Sequence, residues 1–109
     1  MSPFTYLLQR LTALIMVPLV LIHLVIIIYA VRGGLSAAEI LARTQGSIGW
    51  GVFYALFVAA VSVHAGFGLR NVLAEWTALP RAACAGIAHL FALLVAILGA
   101  RAVYAVVAP

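Results

Sequence analysis

The sequence has no lysine, and its only acidic residues are Glu39 and Glu75. Charged residues make up 7% of the 109 positions, whereas hydrophobic residues make up 68%. A soluble domain of this size keeps much of its surface exposed, so it could not hide that much apolar surface from water. The 6 basic residues are also too dispersed for a nucleic-acid interface, which needs them clustered on one solvated face. Both classes are therefore excluded.

Cysteine is almost absent as well, since Cys84 stands alone. A single cysteine excludes an internal disulfide and any metal site built from several thiolates. We expect Cys84 to be a small apolar filler near the start of the third helix.

What is present is three long runs without charge, at residues 11–31, 44–69 and 82–100. An α-helix needs about 20 apolar residues to cross roughly 30 Å of hydrocarbon, and each run is long enough. Spanning strands would need about 10 residues of alternating polarity, and that alternation is missing. We predict a single all-α integral membrane domain over residues 1–109, with transmembrane helices at about 6–31, 46–70 and 82–106.

The connection between the first two spans carries a helix signal of its own. Ser36 and Glu39 have the spacing of a capping box, which predicts a short interfacial helix that ends near Arg43. The arginines lie at the span ends, where long side chains reach the interface. Their number does not fix the orientation, because the two sides carry equal sets: Arg10, Arg70 and Arg81 on one, and Arg32, Arg43 and Arg101 on the other.

The charge-free runs contain three histidines: His23, His64 and His89. Ionisable side chains at membrane depth are costly and usually face a cavity, a cofactor or a partner. By helical rise, His64 and His89 lie roughly 9 and 12 Å from the arginines at one membrane face, and His23 lies roughly 20 Å from that face. The chain thus offers histidine at two depths.

The second span places its histidine in a stripe of small and polar residues: Ala60, His64, Gly68, Asn71 and Glu75. One turn to either side of His64 there is almost no bulk, and a flat macrocycle needs such a gap beside its axial imidazole. Neutral imidazole is a common iron ligand of haem. Small residues also let membrane helices approach closely. The spacing alone leaves haem ligation and helix packing both open.

Residues 64–76, HAGFGLRNVLAEW, resemble the second-helix motif of succinate dehydrogenase and fumarate reductase membrane anchors. That motif has a haem-ligating histidine followed by a glycine, often an arginine, an acidic residue and often an aromatic residue, which correspond here to Gly68, Arg70, Glu75 and Trp76. Two departures are mild: Glu75 stands where aspartate is usual, and Trp76 where tyrosine is common in one of the paired anchors.

The first span carries a second part of the resemblance. Gln9-Arg10-Leu11-Thr12-Ala13 is similar to the family's first-helix motif, in which His or Gln precedes Arg, followed by Ser or Thr and a small residue. Anchors of this family have three spans, so the resemblance covers nearly the whole chain. It implies that Arg10, Arg70 and Glu75 face the cytoplasm, as does the N-terminus. All basic residues apart from histidine are arginine, and alanine is abundant. This composition suggests a bacterium with a GC-rich genome, and hence the bacterial inner membrane.

For the cofactor, the resemblance implies that His64 is an axial ligand of a b-type haem with Gly68 beside it. Arg70 would neutralise a haem propionate or help shape the quinone pocket. Its alternative role is that of a charge at a helix end, reaching the interface.

A first-helix histidine serves the distal haem in those family members that carry two haems at two depths. His23 lies at a suitable depth and shares a stripe with Thr12 and Met16. His64 and His23 are thus the candidate iron ligands, for one haem b or two. His89 sits among small residues, and we expect it to hydrogen-bond a neighbouring helix.

For quinone, the resemblance implies a site at the first-helix motif. Arg10 and Thr12 match positions near it, and an arginine there could stabilise charge that develops on quinone oxygens. Tyr6 replaces the family's quinone-binding serine and offers its own hydroxyl. Trp76 has an indole N–H that could bond quinone, although tryptophan is also an ordinary interfacial anchor.

The resemblance also implies partners: a second membrane-anchor subunit, an iron–sulfur subunit and, through the complex, a flavoprotein, with lipid around them and no nucleic acid. The function it implies is a haem b- and quinone-binding anchor of a succinate:quinone oxidoreductase. Two alternatives stay open, a small transporter component and a haem-free structural subunit. A transporter would predict charged residues at mid-membrane, and a structural subunit would tolerate the loss of His64.

Overall fold

The computed structural model describes residues 2–109. Four helices form across them: α1 (Pro3–Gly33), α2 (Ala37–Thr44), α3 (Ile48–Trp76) and α4 (Arg81–Val107). No β-strand occurs in that range. The prediction of an all-α fold with a short helix between the first two long ones is therefore confirmed. Because α1, α3 and α4 are long and apolar enough to cross a membrane, the chain is a multi-pass membrane protein.

Local signals start and end these helices. α2 begins with the expected capping box, in which the Glu39 amide donates to Ser36 Oγ at 3.2 Å and the Ser36 amide donates to the Glu39 carboxylate at 3.4 Å. α1 is terminated by Gly34, whose φ of +126° is a conformation that other residues rarely adopt. The turn between α1 and α2 thus follows from short-range chemistry.

α3 is the central helix, and both α1 and α4 pack along it. Small residues bring α3 and α4 together: Gly66 lies against Ala92, and Gly99 of α4 lies against Val58. A methyl group added at Gly66 would come within 2.9 Å of the Ala92 Cβ, and one added at Gly99 within 2.7 Å of a Val58 methyl. Membrane helices approach this closely only where side chains are small.

The connection from α2 to α3 covers the C-terminal end of α4. Thr44 Oγ1 donates to the Val106 carbonyl at 2.6 Å, and the Gly46 amide donates to the Val107 carbonyl at 2.7 Å. Gln45 Nε2 donates to the Ala108 carbonyl at 3.2 Å. The last carbonyls of a helix have no partner within the helix, so these three bonds supply what α4 itself lacks.

The chain buries little of its apolar surface by itself. The buried hydrophobic residues are Leu19, Ala60, Cys84 and Ala88, while large apolar side chains along all three long helices are exposed. Cys84 is 1% exposed, which confirms it as a packed apolar filler. A surface this apolar must be covered by lipid or by other membrane subunits.

Substituting alanine for Gly66 or Gly99 should weaken the contact between α3 and α4, because the added methyl group has no room. Overpacking of this kind costs about 1–3 kcal/mol. Gly86 is the matched control on α4, since a methyl group added there meets nothing within 4 Å. In the solubilised protein we expect a lower midpoint of thermal unfolding for Gly66→Ala and Gly99→Ala, but not for Gly86→Ala. Equal midpoints for all three variants would contradict a tight α3–α4 contact.

Candidate functional site

His64 lies on the face of α3 that packs against α1, in contact with Thr12. Thr12 Oγ1 is 3.3 Å from His64 Nδ1. The Thr12 side chain is only 8% exposed, and its hydroxyl oxygen also lies 2.8 Å from the Leu8 carbonyl oxygen and 3.1 Å from that of Gln9. The sequence resemblance assigns His64 to haem and Thr12 to quinone, whereas the structure places these two side chains in contact.

The second ring nitrogen of His64, Nε2, makes no hydrogen bond to any residue between Ser2 and Pro109. Over that stretch the one buried side-chain polar atom without a partner is Gln9 Oε1. His64 itself is partly buried, and because its Nε2 is not among such atoms, that nitrogen reaches the surface of the helix bundle. His64 can therefore bind a group outside this chain through Nε2.

The small residues that flank His64 on α3 have different surroundings. Ala60 is buried, at 6% exposed. Gly68 faces Gln9 of α1, since an added Cβ would lie 3.5 Å from Gln9 Nε2, an ordinary van der Waals distance. Sequence reasoning missed Gln9 as part of the His64 surroundings, although its place beside Arg10 in the first-helix motif was a signal.

Two of the quinone candidates form a pair on the exposed face of α1. Arg10 Nη1 donates to the Tyr6 hydroxyl at 3.3 Å, and the guanidinium carbon lies 5.8 Å from the centre of the Tyr6 ring. Trp76, the last residue of α3, is 81% exposed. Thr12 is not on this surface, because it is buried against His64. The exposed Arg10 guanidinium and the Tyr6 hydroxyl can both donate hydrogen bonds to oxygen atoms of a bound group.

A polar cavity of 490 Å³ lies at the end of the bundle that carries the N-terminus. Arg70 and Glu75 of α3 line it together with Arg81 of α4, and Ser2 lies at its edge. This confirms that Arg70 and Arg81 share one side of the protein. Two guanidinium groups against one carboxylate leave the cavity electropositive, so it suits an anionic group.

His23 lies nearer the other end of α1, beside aromatic rings of α3. Its ring is 5.2 Å from that of Phe57 and 6.2 Å from that of Tyr54, both edge-on. It borders a cavity of 350 Å³, and no residue from 2 to 109 hydrogen-bonds its ring. Helical rise places His23 roughly 16 Å from Thr12 along α1, so His23 and His64 lie at different depths and cannot share one iron.

The aromatic rings around His23 belong to a cluster that sequence reasoning missed. It consists of four residues of α3: Trp50, Phe53, Tyr54 and Phe57. Their spacing of three, four and seven positions is the signal that predicts one helical face.

Within the described chain, His89 does not make the expected hydrogen bond to a neighbouring helix. Its Nδ1 lies 2.7 Å from the carbonyl oxygen of Ala85, one turn earlier in α4, and the side chain is exposed. Helical geometry puts that carbonyl within reach of the ring, so the nitrogen finds its partner without crossing to another helix.

The part of the chain that the structure describes contains no group of three or more His, Cys, Asp or Glu side chains that could hold a metal ion.

Comparison with known proteins identifies one family. Residues 4–103 match the family model of the succinate dehydrogenase/fumarate reductase transmembrane subunit. No curated protein and no solved structure matches the chain. The matched residues include both resembling motifs, at residues 9–13 and 64–76.

Proposed function

The chain belongs to the succinate dehydrogenase/fumarate reductase transmembrane subunit family, and from this membership we propose that it is an anchor subunit that binds haem b and quinone. Membership makes it one subunit of a larger complex. We propose that it pairs with a second membrane-anchor subunit and docks an iron–sulfur subunit. Succinate or fumarate chemistry belongs to a flavoprotein subunit, because nearly all the described residues of this chain are membrane helix.

The state of the His64 ring is the observation that carries this proposal. One ring nitrogen faces Thr12 inside the bundle, and the other reaches the surface without a partner in residues 2–109. A neutral imidazole held at one nitrogen, with the other free, suits an axial haem ligand. Its surface position would allow His64 to hold a haem that is shared with the second anchor subunit.

Two other residues of α3, Gly68 and Arg70, bear on the binding of haem. Haem b, when bound, supplies one-electron redox chemistry within the membrane. Gly68 adds no side chain of its own one turn from His64, and the space beside it is occupied by Gln9 of α1, whose Nε2 would lie 3.5 Å from an added Cβ. Arg70 lines the electropositive cavity between α3 and α4, where its guanidinium would offset the negative charge of a propionate that reached it.

His23 is the candidate ligand for a second haem. Its ring nitrogens have no hydrogen-bond partner in the described chain, and it borders a cavity of 350 Å³ next to Phe57 and Tyr54. Apolar and aromatic walls suit the body of a macrocycle. The depth difference from His64 is what a pair of haems on opposite sides of the membrane requires.

For quinone we propose Arg10, Tyr6 and Trp76 as the residues that bind its polar ring. Arg10 is positioned by its bond to Tyr6, and its charge stabilises negative charge that develops on a quinone oxygen. Trp76 offers an exposed indole N–H at the same end of the bundle. Thr12 has its hydroxyl engaged within the chain, which supports a different role for it.

The same end of the bundle carries the cavity of Arg70, Glu75 and Arg81. We propose that this end faces the cytoplasm and receives the iron–sulfur subunit, so that electrons arrive next to the quinone residues. The membrane is then the inner membrane of a bacterium, with the N-terminus cytoplasmic.

The haem proposal is tested by reductive titration of the purified complex, comparing wild type with His64→Ala, His23→Ala and His89→Ala. We expect His64→Ala to lose a b-type signal, because no other residue supplies that nitrogen. His89→Ala is the matched control, since His89 is exposed and bonds its own helix. We expect it to keep every haem signal.

The outcomes distinguish a two-haem anchor, a one-haem anchor and a haem-free structural subunit. Loss of a second signal in His23→Ala identifies a two-haem anchor, and retention of all signals in that variant identifies a one-haem anchor. Unchanged haem in His64→Ala would contradict the proposal and favour the haem-free structural subunit.

The quinone proposal is tested by Arg10→Ala, with Arg32→Ala as the matched control at the other end of α1. Removing a preorganised cationic donor should slow succinate–quinone reduction on the order of a hundredfold. Succinate oxidation with an artificial acceptor, which bypasses the membrane subunits, should stay at the wild-type rate in both variants. Equal quinone reduction by Arg10→Ala and Arg32→Ala would remove Arg10 from the site.

A further inference from the structure

Two backbone carbonyls of α1 lie closer to the Thr12 hydroxyl than His64 does and compete for its proton. A hydroxyl has a single proton to donate and two lone pairs that accept. Thr12 Oγ1 lies 2.8 Å from the Leu8 carbonyl oxygen and 3.1 Å from that of Gln9, and a carbonyl oxygen can only accept. Without a proton between them, the two oxygens that lie 2.8 Å apart would repel each other. The proton therefore lies toward the Leu8 carbonyl.

This leaves the Thr12 hydroxyl as an acceptor toward His64. At 3.3 Å from Thr12 Oγ1, His64 Nδ1 can bond it only by donating its own proton. In a neutral imidazole one nitrogen carries the proton and the other keeps a lone pair. With Nδ1 protonated, the lone pair resides on Nε2, the nitrogen that reaches the surface of the bundle.

We propose that Thr12 is the positioning residue of His64: its hydroxyl fixes the tautomer whose Nε2 binds the haem iron, and it strengthens that nitrogen as a donor. This inference rests on the proposed haem site. A hydrogen bond from the far nitrogen of a ligating histidine orients the ring and raises its basicity. A more basic axial ligand favours the oxidised iron, so Thr12 holds the haem potential low.

Thr12 differs in this respect from the other buried hydroxyl residues of the chain. Ser62 is equally buried, at 7% exposed, and its hydroxyl donates to the Val58 carbonyl at 2.7 Å without a hydrogen bond to His64. It makes the same bond to its own helix as Thr12 but lacks the histidine partner. Ser62 thus serves as a matched control for the loss of a buried hydroxyl.

The test compares Thr12→Val, Thr12→Ser, Ser62→Ala and His64→Ala in the purified complex. Thr12→Val keeps the shape of the side chain and removes the acceptor. We expect its haem potential to rise and its haem affinity to fall about tenfold. Thr12→Ser keeps the hydroxyl and should return both values toward wild type, and Ser62→Ala should leave both unchanged.

Each outcome separates this inference from the haem site on which it rests. A wild-type potential and haem affinity in Thr12→Val, with haem lost in His64→Ala, would overturn the role of Thr12 and leave the haem site intact. Haem retained in His64→Ala would overturn the haem site itself. A change in haem potential or affinity in Ser62→Ala as large as that in Thr12→Val would show that the effect of Thr12→Val comes from general packing.

A measurement on the wild-type complex keeps the inference testable if Thr12→Val does not assemble. Histidine labelled with ¹⁵N at Nδ1 can be followed by electron–nuclear double resonance of the oxidised haem. We expect the weak coupling of a remote, protonated nitrogen. The strong coupling of a directly bound nitrogen would show that Nδ1 is the ligand and would overturn the inference.

Discussion

A polar side chain in the hydrocarbon of a membrane has no water to bond, so its partner must come from protein or from a bound group. This chain meets the requirement at Ser62 with its own backbone, because the Ser62 hydroxyl donates to the Val58 carbonyl. His64 has one bonded and one free ring nitrogen, since only its Nδ1 has a hydrogen-bond partner within residues 2–109. The free nitrogen is the one that we propose binds haem, so the packing of α1 on α3 bears on the proposed function.

The two sides of α3 pack against their neighbouring helices in different ways. Toward α4 it presents Gly66, and the backbones approach so closely that no methyl group could be added. Toward α1 it presents His64 and Gly68, where polar side chains of α1 fill the space. Close packing on one side fixes the helix, and a fixed helix holds the imidazole at a constant depth and angle. The α3–α4 contact is therefore a condition for the site, although it contributes no ligand.

Much of this arrangement could be predicted from the sequence because it depends on short-range features. Charge-free runs placed the three long helices, and the spacing of Ser36 and Glu39 placed α2. The motif around His64 indicated the residue on which the site depends. The contact of Thr12 with His64 could not be predicted, because helical periodicity tells which face a residue occupies and not which helix covers that face. His89 shows the same limit, since its partner lies one turn away in its own helix.

The relative height of α1 and α3 brings the first-helix and second-helix motifs into contact. Two contacts set that height: Thr12 meets His64, and Gln9 meets Gly68 one turn nearer the N-terminal end. Sliding α1 by one helical turn, about 5.4 Å, would break both contacts and bring a different side chain to the imidazole. Because α1 and α3 are joined through α2, whose end is bonded to α4, the height is held from both ends of the bundle. The hydrogen bond that we propose fixes the His64 tautomer thus depends on how two helices dock, and no feature of α3 alone provides it.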